Sequence, residues 1–474
     1  MFSREKSGGS SPACGLPGLD APCVRIIALQ AASMLVIGWT AMRSAIPILN
    51  PLTSADMWLY YGSSARLRLG LLPYRDFPLE YPPLALASFA VPQLLHARSM
   101  PSFPTYVGLF LAWNAALCIL TAWIVYRIAV ASRATRSDVT PERAVAIYAG
   151  LAVVLTPLLP WRYDLFPAFL TVLAFSLAIS PSKQSAPGAS VRKPVWAGAA
   201  LGFGIAAKLY PIVLLPVLTV YYLAQRRSVA VRELWLGTLA AIGAAVLPFA
   251  RVGPRAMLSF LSYHEKRGLE IESLPAGVLM ASHFLYGLPA RIAFDYGAFN
   301  LQAPGVARWI AALPWLFLLA YAALVTAAYV AFRKEFATGR SIRAETLAVG
   351  LVGALVAFMA TNKVLSPQYV IWLMPFVPFA GVRLRRVLCV VCVLTTLIFP
   401  FAFGSLLAMN PTAVCLLNFR NDLLLTAFGM SIYVLASDLF PVRKRAAKSA
   451  ENEPAESELV FHWVDASNGR GASD

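Results

Sequence analysis

Ionisable residues are sparse in this chain and fall in a few short stretches. The first, Thr53 to Pro83, has the sequence TSADMWLYYGSSARLRLGLLPYRDFPLEYPP and sets Asp56, Arg66, Arg68, Arg75, Asp76 and Glu80 among six aromatic residues. Farther along come Arg162 and Asp164 in PWRYD, Lys208 in AAKLYP, and His264, Arg267, Glu270 and Glu272 in YHEKRGLEIES. Lys363 and Gln368 follow in NKVLSPQY. A carboxylate with an ordinary pKa near ~4 is ionised at neutral pH and can accept a proton from an attacking hydroxyl, which is worth roughly 10²–10⁴ in rate. Arg162, Lys208, Arg267 and Lys363 suit an anion such as phosphate, arginine as a fork and lysine as a point charge. If a phosphate departs, the same cations offset the charge building on it.

Each of these residues also has a plainer role open to it. Asp56 could cap a helix beginning at Met57. Lys208, beside a proline, could snorkel to an interface. Arg162 and Asp164 could pair with one another at a turn. Trp58, Tyr60, Tyr61 and Tyr74 suit an interfacial aromatic belt as well as a platform for a sugar ring.

The elements that must position these groups follow from composition. Of 474 residues, 59% are hydrophobic and 13% charged, with a mean hydropathy of +0.66, so the chain is expected to be all-α and polytopic in a membrane. The net charge of +17 does not point to nucleic acid, because Lys and Arg sit in short clusters between apolar runs, as in cytoplasmic loops. Cys389 and Cys392 form a C-x-x-C inside VLCVVCVLTTLIF and are expected to be small helix residues, not half of a metal site. The four histidines show no metal-binding spacing, and no metal or cofactor is expected. Met1 to Ala21 is Gly/Ser/Pro-rich and lacks an apolar core, so no cleavable signal is expected, the first helix should act as its own signal, and 1–24 should be a flexible cytoplasmic N-terminus.

Span length and Lys/Arg bias then lay the chain across the bilayer. Arg25 to Pro47 runs outward, which leaves a first external loop over 48–83 with short helices in it. Tyr81 to Leu95 is too short for a firm span. Thr105 to Ala131 delivers Arg133, Arg136 and Arg143 inside, Ala144 to Leu159 returns, and Leu165 to Ile179 descends towards Lys183, Arg192 and Lys193. The next apolar stretch has basic clusters at both ends, so a hairpin broken at Lys208-Leu209-Tyr210-Pro211 keeps both inside. Leu234 to Ala250 leads to a second large external region, 251–303, whose path from Leu274 to Asn300 stays open. Val306 to Phe332, Thr346 to Ala360, Val370 to Phe379, Val387 to Leu407 and Leu416 to Phe440 complete about twelve segments in a domain spanning 25–440. Residues 441–474 are basic, then polar, and expected to be a disordered cytoplasmic tail. Both termini thus lie in the cytoplasm of an inner or plasma membrane protein. Asp56, Arg162, Asp164, Lys208, His264, Arg267, Glu270, Glu272 and Lys363 fall together on the other side.

Taken in order, these motifs resemble the polyprenyl-phosphate-sugar-dependent glycosyltransferases of the GT-C superfamily, in particular the alpha-mannosyltransferase-like glycosyltransferase family 87. The resemblance runs from about Asp56 to Leu373 and rests on Asp56, Tyr60, Gly70, P-Y-R-D, Y-P-P, R-Y-D, A-A-K-L-Y-P, Y-H-E-K-R-G-L-E-I-E-S and N-K-V-L-S-P-Q-Y. It implies a GT-C-type helical bundle and inverting transfer of a sugar, typically mannose, from a polyprenyl monophosphate to a lipid or glycan acceptor outside the cytoplasm. It implies Asp56 as the catalytic base, with Asp76 and Glu80 as second choices, and Lys208, Arg267, His264, Lys363 and Arg162 on the donor phosphate. Tyr60, Tyr74, Asp76, Glu80, Tyr81, Asp164, Glu270, Glu272 and Gln368 are the candidate substrate contacts. A transporter or flippase of lipid-linked sugars would also want cations and aromatics along a path, but would more often repeat its broken helices, and only one K-x-Y-P break occurs here. A glycan ligase would carry a larger external loop rich in Arg and His.

Overall fold

The computed structural model describes residues 19–96, 99–133, 139–180, 193–339 and 341–437. The expectations for the tail, for most of the N-terminal segment and for Arg136, Lys183, Arg192 and Arg340 lie outside the described residues. The first half of the fold is a run of helices: α1 (Ala21–Ala41), α2 (Ala55–Arg68), α3 (Ala85–His96), α4 (Phe103–Arg133), α5 (Pro141–Val154) and α6 (Leu165–Ile179). Two single turns at Pro47–Leu49 and Pro51–Thr53 join α1 to α2. Next come α7 (Lys193–Ala207), α8 (Leu215–Ala224), α9 (Ser228–Val246), α10 (Pro254–Met257), α11 (Ser259–Lys266) and α12 (Leu274–Tyr286). The chain finishes with α13 (Val306–Gly339), α14 (Ala344–Ala360), α15 (Val370–Leu373), α16 (Val382–Thr396), α17 (Phe403–Leu407) and α18 (Pro411–Ser437).

Local chemistry fixes several boundaries. Thr140 caps α5 by accepting the Arg143 N–H at 3.3 Å, with Pro141 opening the first turn, a position where the missing donor costs nothing. Ser273 does the same for α12, which ends at Gly287 in the left-handed region at φ +69°, where a residue without Cβ is unstrained.

The break at Lys208-Leu209-Tyr210-Pro211 is real. α7 stops at Ala207, a single turn covers Tyr210–Leu214, and α8 follows. The direction of the chain comes from α7 and α9, which touch backbone to backbone. A Cβ on Gly198 would lie 2.0 Å from the Leu234 carbonyl oxygen, one on Gly202 2.3 Å from that of Thr238, and one on Gly237 2.0 Å from that of Val195. Thr238 Oγ1 also donates to the Gly198 carbonyl at 3.1 Å. Residue numbers rise together along this seam, so the two helices are parallel and α8 must carry the chain back between them. Lys193 at the start of α7 and Arg226 and Arg227 after α8 therefore sit at the same end, as a hairpin requires.

Among the described residues, five helical stretches are long and apolar enough to cross a membrane: Ala21–Ala41, Phe103–Ser132, Ser228–Phe249, Val306–Gly339 and Val382–Leu407. In α13 only 11% of the apolar window is buried, which suits a surface facing lipid tails. α14 is shorter and buried along almost its whole length, so it forms the centre of the bundle. Val370 to Phe379, expected to be a segment of its own, is α15 and a separate turn at Val377–Phe379, all buried in protein. Short helices survive there because neighbouring protein, not lipid, surrounds their ends.

An all-α fold is corrected in one place. Within 251–303 lies a three-stranded antiparallel sheet, β1 (Leu269–Glu270), β2 (Arg291–Asp295) and β3 (Ala298–Gln302), in the order β1-β3-β2. The β2–β3 hairpin closes through Tyr296 at φ +46° and Gly297 at φ +68°, the two positive angles of the turn that matches strand twist.

Candidate active site

One end of the bundle encloses a cavity of about 430 Å³, within the usual range of small-molecule sites. Of the residues singled out in the sequence, Asp56, Tyr60, Glu80, Tyr81, Arg162, Asp164, Lys208, His264, Arg267, Glu270, Glu272, Lys363 and Gln368 line it. Tyr74 and Asp76 do not. Tyr74 donates its hydroxyl to the Tyr81 carbonyl at 2.6 Å, which holds that neighbour in place. Asp76 is tied to the Arg75 guanidinium at 2.9 Å and accepts the Leu72 N–H at 2.8 Å, so its oxygens close a turn.

Asp56 lies in the first turn of α2 after Ser54, the residue in the capping position. It is therefore not the cap, and its charge sits where the partial positive end of the helix favours it. Its carboxylate pairs with Arg162 from the turn before α6. Asp164, two residues on, pairs with Lys208, its Oδ1 accepting the Lys208 Nζ at 2.6 Å. Arg162 and Asp164 thus each take a partner from another element and not one another. The YPP segment is anchored to the end of α7 by the Leu84 N–H, which donates to the Ala206 carbonyl at 2.9 Å, so the first loop and Lys208 are positioned together.

Aromatic rings build the wall around Lys208. Trp372 is sandwiched between Tyr210, with centroids 4.0 Å apart and planes 3° apart, and Tyr369, at 3.9 Å and 24°. Its indole N–H donates to the same Asp164 oxygen at 2.7 Å. The Lys208 ammonium stands 4.8 Å from the centroid of Tyr163 and 5.4 Å from that of Trp372, within reach of a cation–π attraction.

The opposite wall is different. Lys363 donates to the carbonyls of Glu265 and Arg267, both at 2.7 Å, so two of its three N–H donors are committed to the backbone. Glu270 Oε2 accepts the Leu365 N–H at 3.0 Å, and its own N–H donates to the Lys363 carbonyl at 2.9 Å. Glu272 meets Arg420 of α18, whose Nη2 donates to the Glu272 carbonyl at 3.0 Å and approaches Oε2 at 3.4 Å. Burial raises the carboxyls of Glu270 and Glu272, and Glu272 adds to the rise at Glu270. Burial together with Arg267, Lys208 and Lys363 pushes His264 down to about 4, which leaves it neutral at pH 7. Its Nε2 must then donate to the Glu80 carbonyl at 3.1 Å, because that partner can only accept. Glu80 is raised by burial, against the Tyr263 hydroxyl and Arg267.

The Arg267 guanidinium reaches the cavity with its buried Nε unpartnered among the described residues. Arg267 and Lys208, the latter paired with Asp164, are both in the cavity lining. Cys389 and Cys392 lie in α16 and are unbonded. Asp20, Cys23 and Glu142 bring ligand atoms within 4.8 Å of one another at the starts of α1 and α5, away from the cavity.

Sequence reasoning missed Tyr163, Tyr210, Tyr369, Trp372 and Arg420. For Trp372 the signal was available in Tyr369-x-x-Trp372, which brings two aromatics onto one face next to NKVLSPQY. For Arg420 it was the run Asn418-Phe419-Arg420-Asn421-Asp422 inside an apolar helix, since an ionisable residue at that depth usually has a purpose.

A multi-pass helical membrane protein with a charged, aromatic-walled cavity at one end is the class that fold and site define. The chain belongs to glycosyltransferase family 87, whose model matches residues 79–367. Asp56 and Arg420 lie outside the matched segment. No curated protein matches the chain. Among solved structures it is similar to ArnT from Cupriavidus metallidurans bound to undecaprenyl phosphate, at 16% identity over 87% of this chain and 77% of that one, with a TM-score of 0.45. It is similar also to the Archaeoglobus fulgidus oligosaccharyltransferase in the apo form, at 13% identity over 88% of this chain and 55% of that one, with a TM-score of 0.43. The archaeal oligosaccharyltransferase AglB, in complex with an inhibitory peptide and a dolichol-phosphate, gives 13%, 91% and 58%, with a TM-score of 0.39.

Proposed function

We propose that the protein is an inverting glycosyltransferase that moves a sugar, most simply mannose, from a polyprenyl monophosphate to a hydroxyl of a lipid or glycan acceptor on the extracytoplasmic side of the membrane. The observation that carries this reading is that a carboxylate, Asp56, and two cations, Arg267 and the Asp164-paired Lys208, line one cavity although they are far apart in sequence.

Lys208 and Arg267 hold the donor phosphate. The lipid tail leaves through an apolar groove lined by Ile310, Leu313, Pro314, Phe317 and Phe358 between α13 and α14, which shares Phe358, Asn362 and Lys363 with the main cavity. The acceptor oxygen attacks the anomeric carbon from the face opposite the phosphate. Its proton passes to Asp56, the new carbon–oxygen bond forms, and the bond to the phosphate oxygen breaks with its electron pair going to the phosphate. Configuration inverts. An oxocarbenium-like centre is favoured by a nearby carboxylate, and the leaving phosphate by the two cations.

The test is transfer of labelled mannose from polyprenyl-phosphate mannose by membranes containing the protein. Loss of transfer in Asp56→Asn, with the protein still folded, is the expected result. Activity within about tenfold of wild type would reject Asp56 as the base. Sidedness is checked separately by aqueous labelling of single cysteines at positions 56 and 208, which must react from the same face.

A further inference from the structure

Trp372 lines the cavity without carrying a charge, and its one polar atom is committed at a particular place. The indole N–H donates at 2.7 Å to Asp164 Oδ1, the same oxygen that takes the Lys208 ammonium at 2.6 Å. We infer that Trp372 is a positioning residue for donor binding: through Asp164 it sets where the Lys208 ammonium stands and how firmly the carboxylate holds it. The inference rests on the donor reading above and adds to it the group that keeps one of the two phosphate cations available.

Geometry closes a ring. Trp372 in α15 reaches Asp164 before α6, Asp164 reaches Lys208 after α7, and two residues on, Tyr210 stacks back on Trp372 with centroids 4.0 Å apart and planes 3° apart. Tyr369 covers the second face of the indole at 3.9 Å. Trp372 and Asp164 are both buried, each 1% exposed. A carboxylate turns easily about its own stem, and a donor held between two stacked rings removes that freedom. What the ring fixes is the direction from which Asp164 pulls on the ammonium.

Chemistry gives the consequence. An ammonium carries three donors, and among the described residues Asp164 is the hydrogen-bond partner of Lys208, which leaves two donors for a phosphate. The other neighbours of the ammonium are the rings of Tyr163 and Trp372, at 4.8 Å and 5.4 Å from their centroids, which attract a cation without offering an oxygen that competes with a phosphate. On Asp164 the indole N–H and the ammonium share one oxygen, so each draws on only part of its charge. Without the indole donor the ammonium alone would hold Oδ1, and the carboxylate would be free to turn with it. Lys208 would then follow Asp164 and not the phosphate. A buried tryptophan usually finds a partner for its N–H whatever its role, so the donor has to be separated from the ring by experiment.

The experiment measures equilibrium binding of polyprenyl monophosphate, the sugar-free carrier, to the full chain in lipid nanodiscs, with thermal unfolding of each variant alongside. Trp372→Phe keeps a ring and deletes the donor. Replacement of Trp372 by benzothienylalanine keeps the fused ring and both stacks and deletes the N–H alone, so it tests the donor whether or not the Phe variant folds. Both changes are expected to weaken carrier binding about five- to tenfold, and to add less than about twofold once Lys208 is already alanine. Binding by the benzothienylalanine variant within about twofold of wild type overturns the inference, since the ring alone then suffices. A full further loss on top of Lys208→Ala overturns it too, because the indole then acts without the ammonium. A Lys208→Ala variant that binds the carrier as tightly as wild type, or a wild type that does not bind it, sinks the donor reading itself and this positioning role with it.

Discussion

Two walls of one cavity carry similar numbers of charges and use them differently. On the wall built from α2, the turn before α6 and the end of α7, Asp56–Arg162 and Asp164–Lys208 pair side chain to side chain. Asp56, Lys208 and Arg162 keep some exposure, with 34%, 16% and 14% of their side chains accessible, so a ligand can compete for them, while Asp164 at 1% is the buried anchor of its pair. On the wall built from β1 and the segment after α14, backed by α18, the charges other than Arg267 are consumed by the fold. Lys363 binds two carbonyls, Glu270 binds a backbone N–H, and Glu272 and Arg420 are 1% and 0% exposed. The difference teaches that lining a cavity does not make a charge available. A group whose hydrogen bonds already close on the backbone is part of the frame, and a charge buried in an ion pair costs several kcal/mol if its partner is removed.

The largest expected effect tests the first wall. Asp56→Asn should lower transfer about 10²–10⁴-fold with unchanged thermal unfolding in detergent, whereas a matching loss of fold would assign Asp56 to the frame after all. Next in size, Arg420→Met should destabilise by about 3–5 kcal/mol by stranding Glu272, and the double variant with Glu272→Met should recover much of that. Unfolding midpoints of the three variants measure it, and a single variant as stable as wild type would erase the contrast between the walls.

A pair of lysines sharpens the comparison further. Lys208→Ala should raise donor KM about tenfold while acceptor KM stays nearly constant, whereas Lys363→Met should cost stability of about 1–3 kcal/mol and shift donor KM little. Reversed behaviour would put Lys363 in place of Lys208 beside Arg267 on the phosphate. The smallest effect concerns His264. Its folded value near 4 lies below its ordinary 6.5, so between those values the unfolded chain binds the proton and folding stability falls as pH drops from 6.5 towards 4. Substitution by Asn should flatten that part of the acid unfolding profile, with little change above pH 7.

Much of the first wall was legible because its signals are local. Asp56 is the only acid directly after the first apolar helix, and Pro211 breaks an apolar run at Lys208. Most helix positions followed from length and hydropathy, with α6 matching residue for residue. The second wall was harder to see. Its sheet is built from strands of 2–5 residues, too short for alternation to register, and its hairpin turn opens with Tyr296 where Asn or Asp would have advertised it. Arg420 was hidden because α18 counted only as an apolar segment. Partners such as Lys363 and the Glu265 carbonyl are joined across long sequence separations, and no pattern in one chain announces which acceptor an ammonium will find.

The seam of Gly198, Gly202 and Gly237 has a bearing on chemistry some distance away. With backbone resting on backbone, α7 has no cushion of side chains along which to slide past α9, so the height of Lys208 is gauged by main-chain atoms. Adding a single methyl group at position 198 would push two rods apart or ratchet one along the other, and the ammonium at the tip would be displaced while every residue that touches substrate kept its identity. In such a molecule, catalytic registration can be lost through a change that alters no charge at all.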